Sequence, residues 1–303
     1  MNQDTERRSR DGVIAAVIAY TLWGFMPVYF LFTLTVTPVE MLSHRIFWSV
    51  PFGALIIALR GQWREVAAAL RERRKLMWLA LAAFMIAVNW LVYIFAVQNE
   101  QIFQASLGYY INPLIYVLVG VVFFGDKLRR LQLIAVALAF VAVVVLTING
   151  GEFPTIALML GVSFTGYGVI RKQVAIGGMP GLFIETLVLL PFAALALAWF
   201  FNTGSAVFAA SDTSLALNIL IVMAGPVTVL PLLAFALAAR RLTLSTIGFL
   251  QFIGPSLQFM VGYLNGEALS RPRLVCFVLI WTAVVVFCVD SIRRHREATA
   301  TLA

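Results

Sequence analysis

Ten long apolar stretches, separated by short charged segments, constrain this sequence more than any other feature. A helix needs about 20 apolar residues to cross the hydrocarbon core of a bilayer, and each stretch is close to that length. A transmembrane strand would instead alternate apolar and polar residues over about 10 positions, and these stretches are apolar on both faces. We therefore expect an all-α integral membrane protein with ten transmembrane helices. The predicted spans are 12–32, 39–59, 76–97, 102–124, 131–148, 153–170, 182–201, 215–239, 242–264 and 272–289.

The composition excludes a soluble domain. Apolar residues make up 62% of the chain and charged residues only 12%, whereas soluble proteins average about 45–50% and about 25%. The net charge of +8 does not indicate a nucleic-acid partner, because the basic residues flank the apolar stretches. Cys276 and Cys288 fall in one stretch, where a helix would hold them about 18 Å apart, so we expect no disulfide between them.

The placement of Lys and Arg predicts the orientation in the membrane. If successive connections alternate sides, 19 basic residues lie on the side of the N-terminus and only Arg271 and Arg273 on the other, with Arg45 inside a helix. Basic residues are enriched in cytoplasmic connections, so we expect both termini, in tails 1–11 and 291–303, to be cytoplasmic. The 19 residues are Arg7, Arg8, Arg10, Arg60, Arg64, Arg71, Arg73, Arg74, Lys75, Lys127, Arg129, Arg130, Arg171, Lys172, Arg240, Arg241, Arg293, Arg294 and Arg296.

Short blocks of the first half recur in the second half at a nearly constant offset of 140 to 142 residues. Because five helices is an odd number, a second copy would be inserted upside down, and inverted repeats of this kind are typical of secondary transporters. Coincidence is the alternative. We predict two inverted five-helix repeats, 12–148 and 153–290. The matched blocks are 95–97 with 235–237, 105–109 with 245–249, Pro113 with Pro255, and 125–128 with 266–269.

Seven prolines lie inside the apolar stretches, where each removes a backbone hydrogen bond and is expected to bend its helix. Bent helices around a cavity would explain them, and a purely architectural role is the alternative. These prolines are Pro27, Pro51, Pro113, Pro191, Pro226, Pro231 and Pro255.

Several segments resemble one family of membrane proteins. The segments EMLSHRIFWS at 40–49, NWLVYIFAV at 89–97 and ASLGYYINPL at 105–114 are similar to the RarD branch of the EamA family, in the drug/metabolite transporter superfamily. YGVIRK at 167–172 and LTLSTIGFLQFIGP at 242–255 fit the same pattern. The resemblance implies two inverted EamA repeats, a bacterial inner-membrane location and export of small metabolites or drugs. The name RarD is linked to chloramphenicol, but this link implies no mechanism.

Ionisable side chains inside the predicted spans are few, and such residues are candidates for function. Glu40 and His44 lie four residues apart on one helical face, next to Arg45. One interpretation is a proton relay, since histidine titrates near neutral pH, and the other is a structural network at the outer end of the helix. Glu185 holds the corresponding position in the second half, at the opposite end. The pair suits coupling or gating, and descent of both halves from one repeat explains the correspondence equally well.

A polar and aromatic stripe predicts the substrate-binding cavity. Tyr109, Asn112 and Tyr116 lie at i, i+3 and i+7 of the fourth predicted helix, and Gln251 and Gln258 are seven residues apart on the ninth. Amide and phenol groups would orient a ligand, and aromatic faces would hold an apolar or cationic body. Helix packing is the alternative for each residue. We expect Asn89, Trp90, Tyr93 and Trp23 to join this lining.

The sequence favours a secondary transporter over other classes. We find no nucleotide-binding loop, metal-ligand spacing or catalytic motif, so we expect no cofactor, no metal and no enzyme activity. An intramembrane enzyme and a lipid flippase are the alternatives. The expected partners are a small amphipathic substrate and the lipid bilayer. Protons are a third partner if transport is coupled to them. The sequence leaves the substrate and the oligomeric state open.

Overall fold

The computed structural model describes residues 3–124, 129–239, 241–242 and 244–300. Within these residues the chain forms α-helices joined by short connections and contains no strand, which confirms the predicted all-α class. The helices are α1 (Gln3–Gly24), α2 (Met26–Leu31), α3 (Pro38–Leu59), α4 (Trp63–Arg71), α5 (Arg73–Gln98), α6 (Ile102–Phe124), α7 (Arg130–Gly150), α8 (Thr155–Lys172), α9 (Gly178–Asn202), α10 (Leu215–Ala239), α11 (Leu244–Leu250), α12 (Ile253–Leu264) and α13 (Arg271–Ala300).

Helix extends through most of the segments that we predicted as tails, since α1 begins at Gln3 and α13 ends at Ala300. Charged residues such as Glu, Lys and Arg are good helix formers, so a helix can continue past the apolar stretch. The repeat block at 125–128, with Lys127, lies outside the described residues, and so does Arg240.

Eight segments are long and apolar enough to cross a membrane, which establishes a multi-pass membrane protein. The other two predicted spans differ in the structure. Helix α8 has 18 residues and ends in the basic pair Arg171 and Lys172, and the stretch 242–264 contains two shorter helices. The eight segments are Arg10–Leu31, Pro38–Leu59, Arg73–Gln98, Ile102–Val122, Arg130–Gly150, Gly178–Asn202, Leu215–Ala239 and Arg271–Asp290.

Two of the seven interior prolines coincide with breaks, so the first and ninth stretches are not single helices. The chain leaves helical geometry at Gln251 and Phe252, and Pro255 explains this because a proline ring clashes with the carbonyl four residues earlier. Pro27 likewise follows the break at Phe25, in the first turn of α2. The remaining five prolines lie inside continuous helices: Pro51, Pro113, Pro191, Pro226 and Pro231.

A short helix that the sequence analysis treated as a connection, α4, covers one end of the bundle. The ring of Trp63 packs edge-on against Phe183, with 5.6 Å between centroids. The Glu65 carboxylate accepts a 2.6 Å hydrogen bond from the backbone N–H of Gly177. Helix α4 therefore joins the α3–α5 connection to the start of α9.

Helices from the first half of the chain pack chiefly against helices from the second half. Helix α3 contacts α9 and α10, α5 contacts α8 and α9, and α1 contacts α10 and α12. Helix α6 contacts α8 and α12, and α7 contacts α13. The interface between residues 3–148 and 153–300 is therefore the centre of the bundle.

Polar contacts close the end of the bundle opposite α4. Arg273 forms an ion pair with Glu152 at 2.8 Å, and its guanidinium lies 3.7 Å from Glu267. Glu267 also accepts a 3.0 Å hydrogen bond from the backbone N–H of Phe103. Gln98 donates to the carbonyl of Val36 at 2.9 Å. We call this the Arg273 end and the other, marked by Glu65, the Glu65 end. A polar cavity of about 590 Å³ at the Arg273 end is lined by residues that include Glu100, Gln101, Glu152, Glu267 and Arg273.

We predict that Glu267 makes stability pH-dependent. Burial raises the pKa of Glu267 to about 7, although the Phe103 N–H and Arg273 oppose the shift. Because the pKa in the folded state lies above that of the unfolded chain, this contribution to stability is complete in acid and is lost as the pH rises through about 7. The Glu267→Gln variant and the wild type should therefore have the same melting temperature at pH 5. At pH 8 the variant should melt at least about 2 °C higher than the wild type. Superimposable pH profiles of the two melting temperatures would contradict this.

Candidate functional site

Arg45 lies in the interior of the bundle without a carboxylate partner. Its side chain points from α3 toward α10, where Nε donates a 2.7 Å hydrogen bond to the hydroxyl of Thr228. The guanidinium lies 4.3 Å from the ring centroid of Trp90 and 5.8 Å from that of Phe30. The residue is 5% exposed, and among the described residues no Asp or Glu oxygen comes within 4 Å of it.

These contacts oppose the cost of burying the charge. Removing a guanidinium from water costs several kcal/mol in a real protein. A desolvated cation–π contact returns about 2 kcal/mol, and a hydrogen bond to a charged group about 1.5–3 kcal/mol. The contacts and the cost are therefore of similar size, and Arg45 keeps a charge that no carboxylate neutralises, which makes it a candidate functional residue.

Four of the predicted lining residues lie together beside Arg45. The Trp90 ring faces the guanidinium, and the Tyr93 ring packs against Phe30 and Tyr109 at 6.0 and 5.8 Å. The Tyr109 hydroxyl donates a 3.1 Å hydrogen bond to the side-chain carbonyl of Asn89. We call this group the Arg45 cluster. Its members are Phe30, Arg45, Asn89, Trp90, Tyr93, Tyr109 and Thr228.

The Arg45 cluster spans the interface between the two halves of the chain. Thr228 belongs to α10, and the Asn89 amide donates at 3.1 Å to both the Leu160 carbonyl and the Ser163 hydroxyl on α8. The Tyr93 hydroxyl is buried and has no hydrogen-bond partner. A site with this composition offers cationic, hydroxyl and aromatic groups at the point where the halves meet.

The other predicted lining residues make different contacts. Gln258 donates to the backbone carbonyl of Trp23 at 3.1 Å, and the Trp23 ring packs against Phe235 with 5.7 Å between centroids. Gln251 lies in the break between α11 and α12, so it does not share a continuous helical face with Gln258.

Asn112 and Tyr116 contact α8 instead of the Arg45 cluster. With its amide oriented for hydrogen bonding, Asn112 donates to the carbonyls of Gly161 at 3.2 Å and Gly108 at 3.3 Å. The Tyr116 hydroxyl packs against Gly168, where a Cβ would have no room. Seven helical residues advance about 10.5 Å along the axis, which explains why Tyr109 and Tyr116 share a face but not a site.

Glu40 is bound to the connection between α9 and α10. Its carboxylate is buried and accepts hydrogen bonds from the backbone N–H groups of Val207 (2.8 Å) and Phe208 (3.3 Å). The nearest His44 nitrogen is 3.8 Å away, beyond hydrogen-bonding distance, and both His44 ring nitrogens are buried without a hydrogen-bond partner. The His44 ring instead packs against Phe208 at 4.9 Å.

Glu185 lies at the other end of the α3–α9 pair. Its neighbour Phe183 packs against Gly53 and Trp63, near the C-terminal end of α3, whereas Glu40 is near its N-terminal end. The Glu185 carboxylate is 3.3 Å from Nε of Arg171 and accepts a 3.2 Å hydrogen bond from Tyr167. The two corresponding carboxylates thus have different partners, backbone amides for one and a cation for the other.

Sequence reasoning missed several residues that the structure brings to these sites. Thr228, Phe30 and Ser163 contact the predicted residues from other helices, and Arg171 was assigned only to the basic connections. Hydroxyl and aromatic residues are common in membrane helices, so no local pattern distinguishes them. Among the described residues no three His, Cys, Asp or Glu side chains are grouped as metal ligands would be.

Known proteins resemble this chain over nearly its whole length. The sequence profile of the EamA-like transporter family matches residues 10–148. An uncharacterized transporter of Vibrio cholerae is 42% identical, with 97% of each chain covered. Protein RarD of Salmonella typhi is 42% identical over 96% of this chain and 99% of its own. A crystal structure shares the fold, with a TM-score of 0.59 and 18% identity over 92% of this chain and 97% of that one.

The helical bundle, its membrane-length segments and these relatives define a membrane transporter of the drug/metabolite type. Such a protein acts on a small molecule in a membrane, and the names of its relatives indicate transport and not enzymatic chemistry. The chain belongs to the RarD branch of the EamA family.

We predict that Glu40 stabilises the connection that contains Val207 and Phe208. Glu40→Ala would leave two partly buried N–H groups without acceptors and should lower the free energy of unfolding by about 2 kcal/mol. Glu40→Gln keeps an acceptor oxygen and should cost less than about 1 kcal/mol. Denaturant titration of the purified protein in micelles measures both. Asp212→Ala, an exposed carboxylate in the same connection, is the control and should change little. Equal stability of Glu40→Ala and the wild type would contradict the assignment.

Proposed function

We propose that this protein is a secondary active transporter, a permease that exports small amphipathic metabolites or drugs across the bacterial inner membrane by alternating access. The observation that carries the proposal is the Arg45 cluster, which places cationic, hydroxyl and aromatic side chains at the interface between the two halves. Transporters with inverted repeats bind substrate where the repeats meet. Chloramphenicol is a candidate substrate only because the name of the RarD branch is linked to it.

The pattern of helix packing supports ten membrane passes in two inverted repeats, 12–148 and 153–290. A twofold relation between the halves would exchange each of the first five apolar stretches with the stretch five places later. Under this exchange the α1–α10 contact becomes α8–α5, the α6–α8 contact becomes α12–α1, and the α3–α10 contact becomes α9–α5. The contacts α3–α9, α6–α12 and α7–α13 convert into themselves. All of these contacts are present, as a twofold relation between the halves requires.

Contacts between connections support the proposed orientation with both termini cytoplasmic. Glu65 and Gly177 lie in two connections that the alternation of basic residues assigns to the cytoplasm, and they bind each other. Glu152 and Arg273 lie in connections assigned to the outside and also bind each other. On this assignment Glu40 is near the outer mouth of the transporter and Glu185 near the cytoplasmic mouth.

Glu40 and Glu185 fit a role in gating. Each carboxylate binds a connection or a cation at one mouth, so breaking either contact would release one end of the α3–α9 pair. Proton coupling through Glu40 and His44 is a second form of the same function. It is supported by the position of His44 beside the Glu40 carboxylate, with both ring nitrogens free of hydrogen bonds.

Single-cysteine labelling tests the orientation. In a variant without the native Cys276 and Cys288, Ser211→Cys should react with a membrane-impermeant thiol reagent added to intact cells. Gln173→Cys, equally exposed in the structure but assigned to the cytoplasm, should react only after the cells are opened. Labelling of both positions, or of Gln173→Cys alone, in intact cells would contradict the proposed topology.

Transport by reconstituted variants tests the binding site. We expect Tyr109→Ala and Asn89→Ala to lower the initial rate of substrate counterflow at least about tenfold, since each removes a polar group from the Arg45 cluster. The predicted residues outside the cluster, Asn112 and Gln251, should show smaller losses as alanine variants. Tyr263→Ala, a matched change at an exposed position of α12, should retain the wild-type rate. Wild-type rates in both Tyr109→Ala and Asn89→Ala would exclude this site.

A further inference from the structure

We propose that Arg45 binds the carboxylate of the transported molecule, whose apolar body lies against the aromatic rings of the Arg45 cluster. This inference rests on the proposed transport function for its biological setting. The binding site itself rests on the contacts of Arg45 and can be tested without transport.

The donors of Arg45 are largely unused by the protein. A guanidinium carries five N–H groups, and the described structure uses one of them, from Nε to Thr228. Arg171 and Arg273, in contrast, face Glu185 and Glu152. The planar fork of an arginine matches a carboxylate with two parallel hydrogen bonds, so a carboxylate would use the free donors and neutralise the charge at once.

Tyr93 supplies an independent observation that points to a ligand. Its hydroxyl is buried and has no hydrogen-bond partner, although its ring packs against Phe30, the same residue that contacts the Arg45 guanidinium. A buried hydroxyl without a partner is unfavourable unless something else binds it. A ligand oxygen near Arg45 would satisfy both groups.

The aromatic rings select the rest of the ligand. Trp90 and Phe30 present apolar surface to the guanidinium, and Tyr93 extends that surface by packing against Phe30. A cationic ligand would be repelled by Arg45, and a neutral one would leave its charge uncompensated. A phosphate monoester carries nearly two negative charges and would require a second cation, whereas the Arg45 cluster contains only one. The favoured substrate class is therefore a monocarboxylate with an aromatic or aliphatic body.

Matched acids and amides test the proposal on the purified wild-type protein. The pairs are phenylacetate with phenylacetamide, indole-3-acetate with indole-3-acetamide, and decanoate with decanamide, which differ chiefly in the negative charge. We expect at least one acid to bind at least about tenfold more tightly than its amide in equilibrium dialysis, and to raise the melting temperature. If no pair shows a preference for the acid at millimolar concentration, the proposal is wrong.

Variants of Arg45 test whether this residue causes the preference for acids over amides. Arg45→Gln should remove the acid-over-amide preference, and Arg45→Lys should retain part of it because a lysine keeps the charge but not the fork. Arg64→Gln makes the same chemical change at an exposed position of α4 and should bind like the wild type. A wild-type preference in Arg45→Gln would overturn the proposal.

The melting temperature of the unliganded variants separates a binding role from a structural one. A buried charge without a partner opposes folding, so Arg45→Met should melt at or above the wild-type temperature. A large fall in the melting temperature of Arg45→Met, together with equal binding of acids and amides by the wild type, would show that Arg45 is structural. Acid-selective binding without transport into vesicles would leave this inference standing and refute the proposed function. Transport of neutral compounds with no preference for acids would support the proposed function and refute this inference.

Discussion

An arginine in the membrane interior without a carboxylate partner must be stabilised by the side chains that surround it. Thr228, Trp90 and Phe30 perform this task for Arg45, and they come from three different helices. Their combined contribution of about 3.5–5 kcal/mol is of the same order as the several kcal/mol that desolvation of the charge costs. The charge of Arg45 is therefore tolerated but not neutralised, as is common where a binding site is kept ready for a ligand.

The two carboxylates at corresponding positions of the halves lie at opposite ends of the bundle. Glu40 binds backbone N–H groups at the Arg273 end, and Glu185 binds Arg171 at the Glu65 end. Glu40 holds α3 to a neighbouring segment, and Glu185 does the same for α9. The positions of the two carboxylates in the halves correspond, but their partners do not. The proposed alternating access would require that the contacts at the two ends break separately, and unlike partners would allow this.

The sequence was most informative where one physical requirement dominates. The length of an apolar helix is set by the bilayer, so eight membrane-length segments and the all-α class could be read directly. Proline explains the breaks before Pro27 and Pro255, yet Pro51 and Pro113 lie in continuous helices, because neighbouring helices decide whether a bend becomes a break. The basic and apolar pattern gave no sign of α4.

The candidate site was only partly predictable. Asn89, Trp90, Tyr93 and Tyr109 were expected to lie together and do, whereas Tyr116 and Gln251 were expected to join them and do not. Helical spacing identifies a shared face but not the distance along the axis or the helix opposite. The partner of Arg45 is 183 residues away in the sequence, and only the tertiary structure brings Thr228 to it.

The central claim is that the protein moves a compound without changing it, and reconstitution into sealed vesicles with an interior pH dye tests this most directly. In a screen of monocarboxylates, chloramphenicol, amino acids and quaternary amines, vesicles that contain the protein should accumulate at least one compound, with monocarboxylates favoured, and mass spectrometry should find it unaltered. A simultaneous dye signal that is lost in Glu40→Gln or His44→Gln would add proton coupling. Chemical conversion of the compound, or movement of lipid alone between the leaflets, would contradict the account.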